Sequence, residues 1–210
     1  MKLLPASKTG PSPEPLTVIA CGAIAREIGA VLSANRLAHV NLTCLPAILH
    51  NAPRKIVPAV EAAIATARAQ GCDRIFVAYA DCGTGGGLDA LCRREKVERI
   101  PGPHCYAFFR GNQRFTEEAN EHLTTFWLTD FLARQFDAFV ARPFKLDRHP
   151  ELVGMLFGHY ERVVYLAQTD DAALDARGRG IAARLDLAYE RWLVGYGDLT
   201  PSLLDAAAGT

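Results

Sequence analysis

The stretch "RIFVAYADCGTGGGLDALC" (residues 74–92) combines an apolar run, a turn with three consecutive glycines and a helix-like segment. A buried strand followed by a glycine-rich turn and a helix is the repeating unit of parallel α/β folds. Cys82 lies where the apolar run ends and the turn begins, and Asp81 directly precedes it. The stretch therefore predicts a strand–turn–helix unit that presents a sulfur at the carboxyl end of its strand.

Further apolar runs alternate with amphipathic segments on both sides of this unit, which predicts βαβ connections. The runs expected to be strands are "LTVIAC" (16–21), "LAHVNLTC" (37–44), "VERIPG" (97–102) and "RVVYLAQ" (162–168). "TTFWLTDFLARQFDAFV" (124–140) is expected to be a helix or a loop leading into one, and the alanine-rich residues 170–197 a long C-terminal helix. We predict a single α/β domain over residues 16–210, with a mainly parallel sheet of about four to five strands flanked by helices.

The charge balance and the start of the chain exclude several classes of protein. Lys+Arg and Asp+Glu both number 23, so no basic field attracts nucleic acid. No apolar run reaches the roughly 18 to 20 residues that a membrane helix needs. Residues 1–15 contain four prolines and lack the apolar core of a secretory signal, which predicts a disordered arm on a cytoplasmic protein. The six cysteines are then expected to be reduced thiols or ligands.

Four cysteines fall at or just after the carboxyl ends of the first four predicted strands. They are Cys21, Cys44, Cys82 and Cys105. In an open parallel sheet these ends lie side by side, and ligands bind in the crevice just outside them. We expect the four sulfurs to converge there. The alternative reading is that each is a small apolar side chain that fills the core.

The cysteines and two nearby histidines have the chemistry of a metal site. Cys21, Cys82 and Cys105, with His50 or His104, match the sulfur and nitrogen ligands of tetrahedral zinc. Three or four thiolates would also suit an iron–sulfur cluster. The chain lacks the short C-x-x-C pairs of zinc ribbons, so only the fold can bring these ligands together.

The glycine-rich turn "DCGTGGGLD" has no Lys-Ser or Lys-Thr after it and is not a P-loop. Its backbone amides are candidates for binding a cofactor or carboxylate and for lowering the pKa of Cys82. The residues that carry those amides are Gly83, Thr84, Gly85, Gly86 and Gly87. Asp81 is expected to cap the helix, orient a ligand or accept a proton. Together with Cys82 and Glu27, it is a candidate catalytic residue, and Asp130 is a candidate supporting residue.

Seven motifs in order connect the chain to a known family. They are "ACG", "LPAILHNAP", "YADCGTGGGLD", "IPGPHCYAFFRG", "TFWLTDFL", "FGHYERVVYLAQ" and "GYGDL". With them the sequence resembles the bacterial and archaeal domain-of-unknown-function family numbered 1638, from about residue 16 onward. The resemblance implies a small cytoplasmic α/β protein, and the family pattern carries over to Cys21, His50, Cys82, His104 and Cys105.

Genes of that family tend to lie beside corrinoid-dependent methyltransferases and the activators of corrinoid proteins. The resemblance therefore implies a role in one-carbon metabolism, with a corrinoid protein or methyltransferase as partner and possible contact with the corrinoid. Combined with the cysteines, it favours a zinc or iron–sulfur protein that serves corrinoid-dependent methyl transfer.

Two other functions stay open. "DCGTGG" is similar to the "D-S-G-x-G-G" turn of aspartate and glutamate racemases, so Cys82 and either Cys21 or Cys105 could act as a metal-free acid–base pair on a small carboxylate. Alternatively, the aromatic segments "CYAFFRGNQRF" and "TTFWLTDF" could form the docking surface of a non-catalytic adaptor of a corrinoid protein.

Overall fold

The first half of the chain forms a four-stranded parallel sheet in the computed structural model, which describes residues 14–118 and 123–209. Its strands are β1 (Leu16–Cys21), β2 (Val40–Leu45), β3 (Arg74–Ala78) and β4 (Glu98–Arg99). Their spatial order is β2-β1-β3-β4. The chain therefore leaves β1 in one direction and later returns to its other side, which creates a topological switch point between the carboxyl ends of β1 and β3.

Helices cover both faces of this sheet because β1 and β3 are apolar on both faces. The connections are α1 (Ala25–Ala34), α2 (Ile56–Ala69) and α3 (Gly87–Glu95), and short 3-10 helices at Gly22–Ile24, Ala47–Asn51 and Pro53–Lys55 precede the first two. Helix α1 packs with Val18 and Phe76 on one face, whereas α2 and α3 pack with Ile19 and Val77 on the other.

The second half forms a separate three-stranded parallel sheet with the order β5-β6-β7 for strands β5 (Thr125–Thr129), β6 (Arg162–Ala167) and β7 (Ala188–Leu193). Between β5 and β6 lie α6 (Asp130–Phe136), a π-helical turn (Asp137–Ala141) and α7 (Leu152–Phe157). Helix α8 (Ala172–Leu185) connects β6 to β7.

The two sheets contribute to a shared hydrophobic cluster. Val18 and Phe76 of the first sheet lie in the same cluster as Trp127, Val164 and Leu166 of the second. Helices α4 (Cys105–Arg110), α5 (Asn112–Glu117) and α9 (Leu199–Ala208) also contribute side chains to it. The assignment of residues 16–210 to one domain stays a prediction.

The structure confirms the predicted α/β class, with parallel strands flanked by helices, but it divides the strands between two sheets. "TFWLT" (125–129) forms β5 rather than part of a helix or loop. The predicted long helix over residues 170–197 is wrong in its extent. Helix α8 ends at Leu185 because Asp186 adopts a left-handed conformation (φ +58°), and β7 follows.

The predicted disordered arm (residues 1–15) lies outside the described residues except for Glu14 and Pro15, which directly precede β1. Within the described ranges, no helix combines the length and apolar character needed to cross a membrane.

Candidate functional site

The carboxyl edge of the first sheet carries the four cysteines that the strand pattern places there. Cys21 is the last residue of β1, and Cys44 lies beside it in β2, where the strand register pairs Cys44 with Ala20. Cys82 lies in the turn that follows β3, and Cys105 is the first residue of α4. Cys21 and Cys82 therefore flank the switch point of the sheet, which is where α/β proteins commonly bind ligands.

Backbone hydrogen bonds join the turn after β3 to the loop that leads into α4. The amide of Asp81 donates to the carbonyl of Gly102 (3.0 Å), and the amide of Cys82 donates to that of Pro103 (2.8 Å). Cys82 itself has a positive φ of +49°, which is uncommon for a residue with a side chain. In this arrangement the backbone amide of Cys105 acts on the Cys82 thiol in the direction that lowers its pKa.

Asp81 holds the glycine-rich turn together. Its carboxylate accepts hydrogen bonds from the Thr84 hydroxyl (2.5 Å) and from the amides of Gly86 (2.9 Å) and Gly85 (3.1 Å). Desolvation raises the pKa of Asp81, but these hydrogen bonds outweigh it and lower that pKa below its ordinary value. The amide of Gly87 likewise donates to the carbonyl of Thr84. The amides of Gly85, Gly86 and Gly87 thus donate to acceptors within the turn. The cofactor-binding role of residues 83–87 stays a prediction.

The pKa values of the Cys82 and Cys105 thiols depend on the neighbouring cysteines. Burial raises the pKa of each, and it raises that of Cys82 to about 12, to which negative charge on Cys21 and Asp81 also contributes. The pKa of Cys105 is raised well above its usual range, by burial and then by Cys82 and Cys21. Cys44 is exposed, and burial and the neighbouring Cys21 raise its pKa.

The expectation that the helix start lowers the pKa of Cys82 is therefore wrong. Desolvation and two neighbouring negative groups dominate, whereas the Arg99 guanidinium and the Cys105 amide act in the lowering direction. The amides of Gly85 and Gly86 donate to Asp81 instead of stabilising a thiolate. In the structure as it stands, the favoured form of Cys82 at neutral pH is the thiol.

Tyr79 and Arg99 also belong to this edge, and the sequence analysis did not identify them. The Tyr79 hydroxyl is buried and has no hydrogen bond of good geometry. It lies close enough to Cys21 to lower the pKa of that thiol. Arg99 donates to Asp89 (2.6 Å) and to the carbonyl of Ile100 (2.7 Å). Tyr79 stands three residues before Cys82, and Arg99 lies inside the predicted strand "VERIPG". Their closeness in sequence to these motifs is the feature from which both residues could have been predicted to lie at this edge.

An apolar cavity of about 460 Å³ opens beside Cys105. Its wall joins the carboxyl edge of the first sheet, through Ala23, Ala47 and His50, to aromatic side chains of the second half such as Phe131 and Phe139. Desolvation lowers the pKa of His50, so its imidazole favours the neutral form that can bind a metal. The volume and the apolar lining are typical of small-molecule sites.

Two further candidate residues, His104 and Glu27, and the cysteine Cys72 have other contacts. The ring of His104 packs against the rings of Tyr106 and Phe115, each with a centroid separation of 5.2 Å. Glu27 lines a different, polar cavity. Cys72 accepts a hydrogen bond from Thr17 (3.1 Å), away from the carboxyl edge.

Among residues 14–118 and 123–209, no group of three or more His, Cys, Asp or Glu side chains already has the arrangement of a metal site. Cys21, Cys82 and Cys105 are close enough to affect one another's pKa in part, but their sulfurs are not arranged around a common metal position. All six cysteines are free thiols.

Comparison with known proteins gives one match. A family model described as "Protein of unknown function (DUF1638)" matches residues 44–203. This range includes Cys82, Cys105, strands β3 and β4 and the whole second sheet, and it begins after β1 and Cys21. No curated protein and no solved structure matches the chain.

Proposed function

The chain belongs to the DUF1638 family of proteins of unknown function, and we propose that its Cys21, Cys82 and Cys105 thiols bind a metal centre, either zinc or an iron–sulfur cluster. The observation that carries this proposal is the placement of the three thiols at one edge of the sheet, at the end of β1, in the turn after β3 and at the start of α4. Charge on Cys21 would raise the pKa of Cys82, and charge on both would raise that of Cys105. Such a cluster is most easily ionised when a cation neutralises it.

Electrostatics favours a soft metal over a free thiolate. Desolvation is the largest cause of the raised pKa at all three sulfurs. A buried thiolate without a counter-charge is costly, and Arg99 is the guanidinium that acts on Cys82. Thiolates prefer zinc, copper(I) and iron–sulfur clusters, and metal binding displaces the thiol protons. Metal affinity should therefore rise with pH.

Three thiols leave a position for a fourth ligand. His50 is a candidate because it lines the same cavity as Cys105 and favours its neutral form. His104 stays a second candidate. Since the described residues form no closed ligand set, the proposal requires the thiol side chains to turn toward one another on binding. A bound zinc ion would supply Lewis acidity, whereas an iron–sulfur cluster would supply electron transfer.

We propose that this centre serves corrinoid-dependent methyl transfer with a corrinoid protein or methyltransferase as partner. The family resemblance alone supports that step. The apolar cavity next to Cys105 is compatible with it, since a small methylated compound could reach the sulfurs from there. Six free cysteines support a reducing, cytoplasmic location.

Metal analysis of the full chain after purification without oxygen tests the proposal. We expect about one centre per chain, and a decrease of at least about tenfold in metal content for Cys21→Ser, Cys82→Ser or Cys105→Ser. Cys72→Ser is the matched control at the opposite edge and should keep its metal. The proposal would be contradicted by wild-type protein that contains no zinc or iron after purification and binds neither metal on titration.

A metal-free acid–base pair of cysteines is the second candidate. The division into two parallel α/β halves favours it, because the racemases that share the "D-S-G-x-G-G" turn have two similar halves. Against it, all six cysteines precede β5, and the amides of Gly85 and Gly86 donate to Asp81. Solvent deuterium incorporation into aspartate or glutamate, lost in Cys82→Ser, would support this candidate. No incorporation into either amino acid would count against it.

A further inference from the structure

A second cavity, of about 540 Å³, lies at the carboxyl edge of the second sheet. It is polar and is separate from the apolar cavity beside Cys105, with which it shares no lining residue. Residues from the ends of β5, β6 and β7 meet the start of α1 there. The side chains that matter below are Glu27, Asp130, Arg134, Thr169 and Tyr196.

Asp130 forms a rigid, fully buried wall of this cavity. Its side chain is surrounded by donors: Oδ1 accepts from the Tyr165 hydroxyl (2.6 Å) and the Gln168 amide (3.0 Å), and Oδ2 accepts from the Thr169 hydroxyl (2.6 Å). The Gln168 side chain in turn accepts from the Asp130 amide (2.7 Å). These three hydrogen bonds fix the position of the Asp130 side chain in the wall of the cavity.

Glu27 is the second carboxyl group of the cavity, and its hydrogen bonds are incomplete. The residue is 4% exposed, yet its Oε2 atom has no hydrogen-bond partner. Its Oε1 atom lies 3.6 Å from a guanidinium nitrogen of Arg134. A buried acceptor that lacks a donor is costly, and native proteins leave few such atoms without water or a ligand.

The charges around Glu27 favour a positively charged donor. Arg134 lies between two carboxylates, at 3.6 Å from Glu27 and 4.0 Å from Asp130. One guanidinium thus faces two acidic side chains. Two further acids of the wall are already engaged, because Asp170 pairs with Arg191 and Asp171 caps α8. Arg26 lies at the exposed rim.

We propose that this cavity binds the primary ammonium group of a small organic molecule. The buried Oε2 atom of Glu27 would turn toward the cavity and accept a hydrogen bond from an ammonium N–H. An ammonium group supplies both the missing donor and the missing positive charge. A divalent metal fits less well, since both oxygens of Asp130 already accept hydrogen bonds and Glu27 would be left as the one available carboxylate of the pair. An anion would face Glu27 and Asp130. The volume is that of a small-molecule pocket.

This inference goes beyond the proposed metal centre and is independent of it. It assigns Glu27, a candidate catalytic residue, to ligand binding at the other sheet. Loss of the thiols would leave the ammonium site intact, and loss of Glu27 would leave metal content unchanged.

Binding of ethylammonium to the full chain, measured by calorimetry at fixed ionic strength, tests the proposal. We expect saturable binding that Glu27→Gln weakens by at least about tenfold, because the charged hydrogen bond is lost. Tetramethylammonium carries the same charge without an N–H donor and should not bind. Glu98→Gln, on an exposed position of β4, is the matched control and should bind ethylammonium like the wild type.

Three results would overturn the proposal. Absence of ethylammonium binding would mean that water satisfies Glu27. Equal binding by Glu27→Gln, in a variant whose unfolding midpoint matches the wild type, would place the ligand elsewhere. Equal binding of tetramethylammonium would show a general attraction of cations rather than a hydrogen-bonded site.

Discussion

The carboxyl edges of the two parallel sheets differ in the atoms they collect. The first edge gathers sulfur, through Cys21, Cys82 and Cys105. The second gathers carboxylate oxygen, through Asp130 at the end of β5 and Glu27 from the facing helix α1. Both edges follow the same rule of α/β architecture, which places ligand-binding groups beyond the strand ends.

The two edges also differ in how their charge is compensated. Every oxygen of Asp130 accepts a hydrogen bond, so this carboxylate is stabilised by the protein itself. At Cys82 the Cys105 amide acts to lower the pKa of the thiol, but desolvation dominates and raises that pKa to about 12. The second edge therefore holds a buried carboxyl group with donors from the protein itself, whereas the proposed centre at the first edge would need a cation to stabilise its thiolates.

The largest expected effect is a difference in unfolding free energy between variants of Asp130, at the second edge, and of Asp81, at the first. Asp130→Ala removes a buried carboxylate and leaves the donors on Tyr165, Gln168 and Thr169 without their acceptor. We expect it to lower the free energy of unfolding by about 3 to 5 kcal/mol. Asp81→Ala removes a partly exposed turn cap and should cost about 1 kcal/mol. Urea unfolding of both variants measures this difference, and equal losses would contradict the contrast between the edges.

A smaller effect distinguishes two glycines with positive φ. Gly197 (φ +47°) follows β7, and a Cβ there would clash with the carbonyl oxygens of Phe108 and Phe109 in α4. Gly85 (φ +62°) has open space around the same position. Gly197→Ala should therefore cost about 2 to 4 kcal/mol, and Gly85→Ala about 1 to 2 kcal/mol from backbone strain alone. Thermal unfolding of both variants tests this order, and a more harmful Gly85→Ala would reverse it.

The last expected effect appears only at alkaline pH and concerns the first edge. The folded protein holds the Cys82 proton more tightly than the unfolded chain, because burial raises the pKa from 9.0 to about 12. The resulting stability is fully present below pH 9 and is lost as the pH rises toward about 12. Cys82→Ser cannot ionise in this range, so its unfolding free energy should fall less steeply with pH in the metal-free protein. A decline as steep as that of the wild type would show that Cys82 does not carry the effect.

The residues whose positions could be predicted from sequence are those that lie at the ends of apolar strands. The period of apolar runs identified β1, β3 and β6, and the residue after each run predicted where Cys21 and Cys82 would lie. The glycine-rich turn before α3 was equally visible, since its glycines adopt positive φ.

Other features depended on contacts that a linear pattern does not contain. Strand β7 has partly exposed residues throughout, so its sequence lacks the apolar run that marks a buried strand. Whether the Gly85 and Gly86 amides face a ligand depends on the carboxylate of Asp81, which takes them first. The pairing of Glu27 with Arg134 depends on how the two halves pack.

Cobalt(II) titration of the reduced, metal-free chain tests the central claim most directly, because thiolate ligands give cobalt intense charge-transfer absorption. The metal-centre proposal predicts a saturating sulfur-to-cobalt signal with release of thiol protons, retained in Cys72→Ser and abolished in Cys82→Ser. No sulfur-to-cobalt signal in the wild type, or an undiminished signal in Cys82→Ser, would contradict it.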